Sequence, residues 1–177
     1  MFSIGDFVVH PMHGAGKIED IVEEKIAGVI KEYYVFRMPV SGLVLKIPTA
    51  GTGQIGIRSV MSRTEATRLM EAIPALSIDS NTNWNKRYQE NLQRLKSGDL
   101  YQVAQVVKSL LHRESRRGLS TGERKMLHNA KQMIVSEIVL AVRGNYEEVE
   151  SRLLTAMREG SSDSRMRKGS SDSRNSS

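Results

Sequence analysis

Three groups of residues have types and spacings that could support catalysis or cofactor binding. His10 and His13 show the H-x-x-H spacing of a metal-binding pair, and residues 51–56 match the G-x-G-x-x-G pattern of dinucleotide-binding loops. A zinc site needs three or four ligands, and neither a cysteine nor a nearby third histidine accompanies this pair. A dinucleotide site needs a helix directly after the glycines, and segment 57–60 is too short and too β-branched to form one. We therefore interpret the histidines as structural and the glycines as a flexible loop.

The third group is the adjacent pair Glu147 and Glu148, which resembles the paired carboxylates of acid–base catalysis. Both are predicted in the first turn of a helix, where negative charge complements the helix dipole, and this explains their presence. No set of nucleophile, base and acid is recognisable in the sequence. We expect no catalytic residues, no metal and no cofactor, so a binding protein is favoured over an enzyme.

A different chemistry is indicated where a predicted helix begins at Trp84, the only tryptophan. Asn83 is a suitable N-cap, and the free amides of a helix start bind phosphate. Neighbouring cations would neutralise a nucleic-acid backbone, and a large apolar side chain can enter a minor groove between base steps. A second basic group follows later in the chain. The residues expected to contact DNA are Trp84, Asn85, Lys86, Arg87, Tyr88, Arg113, Arg117, Arg124 and Lys125.

The alternative for Trp84 is that it packs onto the helices, with Tyr88 one turn below it in the same cluster. Helical periodicity alone favours this alternative, because most tryptophans are largely buried. The adjacent cations favour the DNA-facing interpretation. The two interpretations differ in one observable, since a DNA-facing Trp84 must be at least partly exposed.

The net charge of +6 is unevenly distributed. Residues 1–75 contain 8 basic and 8 acidic residues, and residues 76–177 contain 18 basic and 12 acidic residues, which accounts for the whole excess. A neutral half followed by a basic half suggests two partners, the second of them polyanionic, although a basic surface can also serve solubility alone. With no cysteine, no signal-peptide pattern and no apolar run long enough to span a bilayer, we expect a cytoplasmic protein.

Hydrophobic periodicity divides the chain into two segregated parts of an α+β fold. Period-two segments separated by turns predict a small antiparallel β-barrel or curled sheet over residues 1–60. Residues 61–83 read as a connecting helix and a hinge, and residues 84–158 as a compact helical bundle with helices near 84–96, 99–117, 121–142 and 146–157. Residues 159–177 form a Ser/Arg-rich repeat that we expect to be disordered.

Several motifs in one order resemble the CarD/CdnL family of bacterial transcription regulators, whose N-terminal module is related to one in transcription-repair coupling factors. The resemblance covers about residues 1–157. It is carried in the first half by residues 5–14 (GDFVVHPMHG), 31–33 (KEY) and 45–48 (LKIP), and in the second half by residues 82–88 (TNWNKRY), 97–99 (SGD) and 117–127 (RGLSTGERKML).

The resemblance implies a Tudor-like (SH3-like) barrel that binds the β subunit of RNA polymerase by extending a sheet between the two proteins. It also implies that Trp84 wedges into the minor groove at the upstream edge of the transcription bubble, without reading sequence, and stabilises the open complex. A monomer associated with the nucleoid through polymerase is expected. The implied polymerase contacts are Lys25, Tyr34, Lys46, Ile47 and Pro48.

The sequence departs from the family pattern at two positions. Glu24 stands where a second basic polymerase contact is expected, and Gln89 where some relatives carry lysine. Two further functions stay open at this point. The chain could be an interaction adaptor that uses its helices only as a scaffold, or a non-specific nucleic-acid-binding protein that acts without polymerase.

Overall fold

A computed structural model describes the backbone of residues 1–169 and the side chains of residues 1–160. An antiparallel sheet comes first and helices follow, as the sequence predicts. The elements are β1 (Phe7–His10), β2 (Gly14–Ile26), β3 (Val29–Arg37), β4 (Val44–Pro48), α1 (Thr52–Ile55), β5 (Arg58–Ser59), α2 (Arg63–Ala72), a 3-10 turn (Ile73–Ala75), α3 (Trp84–Lys96), α4 (Leu100–Arg117), α5 (Thr121–Val142) and α6 (Tyr146–Gly169).

The sheet has the strand order β4-β3-β2-β1-β5, with every neighbouring pair antiparallel. Its longest hairpin joins β2 to β3 through Ala27 and Gly28, which both have positive φ (50° and 80°). Two left-handed residues match the twist of the flanking strands, so the turn continues the hairpin without splaying it. The hydrophobic core of this half is a cluster of buried side chains from Val8, Ile18, Tyr34, Phe36, Met38, Ile47 and Ile57.

The sheet is open, so of the two predicted alternatives, a small barrel or a curled sheet, the closed barrel is wrong. β4 and β5 are its two edges, and β5 has only two residues, which pair with β1. The segment between them forms α1 instead of a closing strand. Gly51 and Gly56 flank this helix in the left-handed conformation (φ 83° and 89°), so the glycine segment is a helical turn and not the flexible loop that we predicted.

The helices begin where the sequence places their caps. The Ser62 hydroxyl accepts from the Glu65 amide (3.1 Å), and the Glu65 carboxylate accepts from the Ser62 amide (2.7 Å), forming a capping box at the start of α2. The Asn83 and Ser120 side chains each accept from the third amide of α3 and α5. α2 contributes the buried Leu69 to the same hydrophobic core as the later helices, so this connector is part of the helical half.

The linker before α3 is tied down by hydrogen bonds, although we predicted a hinge there. The buried ammonium of Lys108 donates to the carbonyls of Ile73 (2.9 Å), Pro74 (2.8 Å) and Leu76 (2.9 Å). Further on, the Ser109 hydroxyl accepts from the Asp79 amide at 2.9 Å. Burial lowers the pKa of Lys108, because the charged form loses its hydration. These bonds attach the linker to α4.

α6 is longer than the sequence predicts. Its expected end was near Met157, but the helix continues to Gly169. Extending an existing helix costs much less than nucleating a new one, so a docked first half favours continuation into polar sequence. Residues 170–177, the rest of the segment that we expect to be disordered, lie outside the described residues.

The two halves are joined by a partly buried ion pair between β5 and α5. The Arg58 guanidinium donates to both Glu137 carboxylate oxygens (2.6 and 2.9 Å) and to the Gly98 carbonyl (3.2 Å). The same carboxylate accepts from the Met61 amide at 2.9 Å. At the start of β2, the Ala15 amide donates to the Ser136 hydroxyl (3.2 Å). Sheet and helices therefore meet in a polar joint whose groups satisfy one another.

Candidate nucleic-acid interface

The site is built on the first turn of α3. The Asn83 side-chain oxygen accepts from the Lys86 amide at 3.1 Å, which starts the helix at Trp84. Residues one turn apart lie on the same face of a helix, and the Trp84 and Tyr88 rings are stacked at 5.2 Å between centroids with 19° between planes. Tyr88 therefore lies one helical turn below Trp84, as the sequence predicts.

Trp84 is 45% exposed, as the DNA-facing interpretation requires. Its indole is nevertheless held in a defined orientation, because Nε1 donates to the Ser120 hydroxyl at 3.3 Å while Tyr88 supports one face. An exposed tryptophan with a fixed orientation presents apolar surface to solvent. The packing on the helices and the stacking on Tyr88 that the alternative predicts are also present, so the exposure of Trp84 excludes only its complete burial.

Ser120 connects the starts of α3 and α5. Its hydroxyl accepts from the Glu123 amide (3.2 Å), which caps α5, and it also contacts the Glu123 carboxylate (3.3 Å). The cap itself is a local feature, since Glu123 follows Ser120 by three residues, the spacing of a capping box. Its bond to Trp84, 36 residues away, left no signal in the sequence.

Arg87 does not lie where the sequence interpretation placed it. It is 3% exposed, and its guanidinium donates to both Glu123 carboxylate oxygens (3.1 and 3.3 Å) and to the Asn81 carbonyl (2.9 Å). The structure therefore does not present Arg87 to a DNA backbone beside Lys86. Burial opposes ionisation of Glu123, but hydrogen bonds and charge from Arg87 outweigh it, so the pKa of this carboxyl is lowered.

The other predicted DNA contacts differ in their exposure. Lys86 is exposed and lies 3.9 Å from the Glu90 carboxylate, a loose i,i+4 pair. Arg113 is partly covered: its Nε is buried without a hydrogen-bond acceptor and lies 3.9 Å from a Glu123 oxygen. An unmatched buried N–H costs about 1–3 kcal/mol. The remaining predicted contacts are all exposed, namely Asn85, Arg117, Arg124 and Lys125.

The residues expected to contact polymerase divide into a buried and an exposed set. Tyr34 and Ile47 belong to the sheet core, at 2% and 4% exposure, so their side chains support the edge and do not face a partner. Lys25, Lys46 and Pro48 are exposed. The Lys46 ammonium is paired with the Glu24 carboxylate across β3, so the acidic replacement at position 24 neutralises the neighbouring cation.

The enzyme-like motifs have structural explanations. The His10 and His13 rings contact each other edge to face, and burial lowers the pKa of His10. The Asn145 side chain accepts from the amides of Glu147 (2.9 Å) and Glu148 (3.3 Å), which places both carboxylates in the first turn of α6 as predicted. Within residues 1–160, no group of three potential ligands is arranged to hold a metal ion. No helix in the described part of the chain is long and apolar enough to cross a membrane.

Comparison with known proteins agrees with this two-part architecture. Residues 2–61 match the model of the CarD-like/TRCF RID domain, and residues 68–154 match that of the CarD C-terminal domain. The putative transcription factor YdeB of Bacillus subtilis (strain 168) is 36% identical over 138 residues, which cover 78% of this chain and 90% of YdeB.

A solution structure of the 72-residue N-terminal domain of Myxococcus xanthus CarD shares 27% sequence identity over 33% of this chain and 79% of that one. Its TM-score of 0.30 is too low to support an argument about the fold. The two domain models and the YdeB relative suffice: the chain belongs to the CarD/CdnL family of transcription regulators. The predicted resemblance is thereby confirmed, and the family is one of regulators and not of enzymes.

Proposed function

We propose that this chain is a transcription factor that binds the β subunit of RNA polymerase through the edge of its sheet and stabilises melted promoter DNA through Trp84. The observation that carries the proposal is the exposed indole held by Tyr88 and Ser120 at the start of α3. Family membership supports the transcriptional role, and this geometry supports the way in which DNA is engaged.

In the proposed complex the indole enters the minor groove at the upstream edge of the bubble. Its orientation is set before binding, so little side-chain entropy is lost on insertion. The exposed cations of the helical half, Lys86, Arg117, Arg124 and Lys125, would neutralise phosphates without reading base sequence. Affinity for DNA is expected to fall as salt rises.

To stabilise the open promoter, the factor needs only a higher affinity for melted DNA than for closed DNA. A wedge binds better where base steps are already unstacked, so the factor prefers melted over closed DNA. It then shifts the equilibrium toward the open complex by that difference, and binding both states equally would shift nothing.

The free edge of β4 suits strand addition. Hydrogen-bonded pairs alternate along an antiparallel ladder, and the bonds from Met38 to Leu43 and from Thr49 to Glu32 set the alternation here. Residues 44, 46 and 48 then turn their backbone groups away from β3. Proline at 48 has no N–H, so the donors offered to a partner strand are the amides of Val44 and Lys46.

A test of the docking mode follows from this register. Val44→Pro removes an outward amide while leaving the β3–β4 bonds in place, because edge strands accept proline on their solvent side. We expect association with the polymerase β subunit to weaken at least tenfold, and Val44→Thr, which keeps the amide, to bind as the wild type does. Surface plasmon resonance with the immobilised β subunit measures the affinity of each variant, and thermal melting curves verify that each variant is folded. Equal binding by both variants would exclude strand addition at β4.

A further inference from the structure

A basic cavity of about 200 Å³ is lined by residues of the linker before α3, by Arg87 and Asn91 of α3 and by residues in the second half of α4. Its lining includes the guanidinium-bearing Arg87, Arg113, Arg116 and Arg117 and the hydroxyl-bearing Ser80 and Thr82.

The charge of this cavity is strongly unbalanced. Asp79 is the one carboxylate among the lining residues. It already accepts from the Asn81 amide (2.9 Å) and pairs with Arg94 (3.4 Å). Glu123, which is not a lining residue, is engaged by Arg87 and also lies 3.9 Å from the Arg113 Nε. The arginines of α4 also sit at its C-terminal end, where the helix dipole favours cations, but that effect does not require them to converge on one cavity.

The cavity has a buried and ordered wall. Arg87, Asn91 and Ser109 are 3%, 1% and 5% exposed, and each is hydrogen-bonded to a neighbour. Arg113 is the exception, because its buried Nε has no acceptor within hydrogen-bond distance. An anion in the cavity would supply the acceptor that this N–H lacks.

The volume of the cavity and its guanidinium donors indicate which class of anion it can bind. A volume of about 200 Å³ is below the roughly 300–1,000 Å³ of pockets that enclose a drug-sized ligand. It suits a single phosphoryl group or a small inorganic anion. Guanidinium groups match phosphate oxygens in pairs, and several converging arginines are the usual means of binding a phosphoryl group.

We propose that this cavity is a phosphoryl-binding site, separate from the aromatic surface of Trp84. The group it binds comes either from the backbone of promoter DNA or from free inorganic phosphate. Only the first source rests on the proposed function. The chemistry of the site is the same for both.

Calorimetric titration with inorganic phosphate at low salt tests the site in the full-length protein. One phosphate is expected to bind the wild type. Arg113→Gln and Arg116→Gln should each weaken it about tenfold, which is the loss of one charge-assisted hydrogen bond. Arg68→Gln removes the same charge from an exposed position on α2 and should leave phosphate binding unchanged.

A second titration with bubble DNA distinguishes the sources. Competition by phosphate, with a greater loss of DNA affinity in Arg116→Gln than in Arg68→Gln, assigns the cavity to the DNA backbone. Phosphate binding with equal DNA affinities for these two variants assigns it to the free anion. The proposal is overturned if the wild type shows no saturable phosphate binding and the two variants bind DNA equally. Neither titration involves polymerase, so failure here leaves the proposed function untouched.

Discussion

Trp84 and Arg87 lie three residues apart on α3 and have opposite environments. The tryptophan is 45% exposed, and the arginine is 3% exposed and paired with Glu123. Sequence places both beside the same cap and cannot distinguish them, because Glu123 is 36 residues away. The structure assigns them different tasks: Arg87 holds α3 against the start of α5, and this junction in turn orients the indole through Ser120.

The lowered pKa of Glu123 predicts a pH dependence of stability. Its ordinary unfolded pKa is about 4.3. Since the folded value is lower, the stabilisation is present above about pH 4.3 and is lost as pH falls through the folded pKa. We expect urea unfolding between pH 3 and 6 to show this loss in the wild type. Glu123→Gln should be less stable at pH 6 and should vary less with pH. An equal slope for both proteins would show that the pair does not contribute.

At the scale of elements, the sequence predicts where a helix is capped, but not which distant residues the capping side chain also contacts. The starts of α2, α3 and α5 depend on side chains within three residues, so local patterns suffice. The open sheet could not be predicted in the same way. Closure depends on whether residues 49–57 form a strand, and α1 forms there because its flanking glycines adopt the left-handed conformation.

Two serine caps provide a matched pair of substitutions. Ser62 and Ser120 each accept from the third helical amide, so each change to alanine should cost about 1 kcal/mol of stability. Only Ser120 also holds Trp84. We therefore expect Ser120→Ala to lower the fluorescence anisotropy of the single tryptophan and Ser62→Ala to leave it unchanged. If both variants kept the wild-type anisotropy, Ser120 would not orient the indole.

At the scale of the whole molecule, the joint between sheet and helices depends on Arg58 and Glu137. Their partnership spans 79 residues and crosses the boundary between the two predicted parts, so neither periodicity nor motif spacing could reveal it. The joint sets the geometry between the free edge of β4 and Trp84. Under the proposed function, it would relate the polymerase contact to the DNA contact.

The two partners of this joint are expected to differ in their effect on stability. Glu137 is fully buried, whereas the Arg58 side chain is 34% exposed. Arg58→Met leaves a buried carboxylate without a cation and should cost about 3–5 kcal/mol. Glu137→Gln leaves a cation that can reach water, so its cost should be smaller. Urea denaturation measures both, and a larger loss for Glu137→Gln would contradict the assigned burial.

The central claim is that Trp84 holds the promoter open, and the half-life of the open complex measures it most directly. With cognate RNA polymerase, Trp84→Ala is expected to shorten this half-life several-fold, where tenfold corresponds to about 1.4 kcal/mol. Tyr101→Ala is the matched control, because Tyr101 is 43% exposed and lies on α4 beyond the far end of α3. It should behave as the wild type does. An unchanged half-life for Trp84→Ala, with polymerase binding intact, would contradict the account.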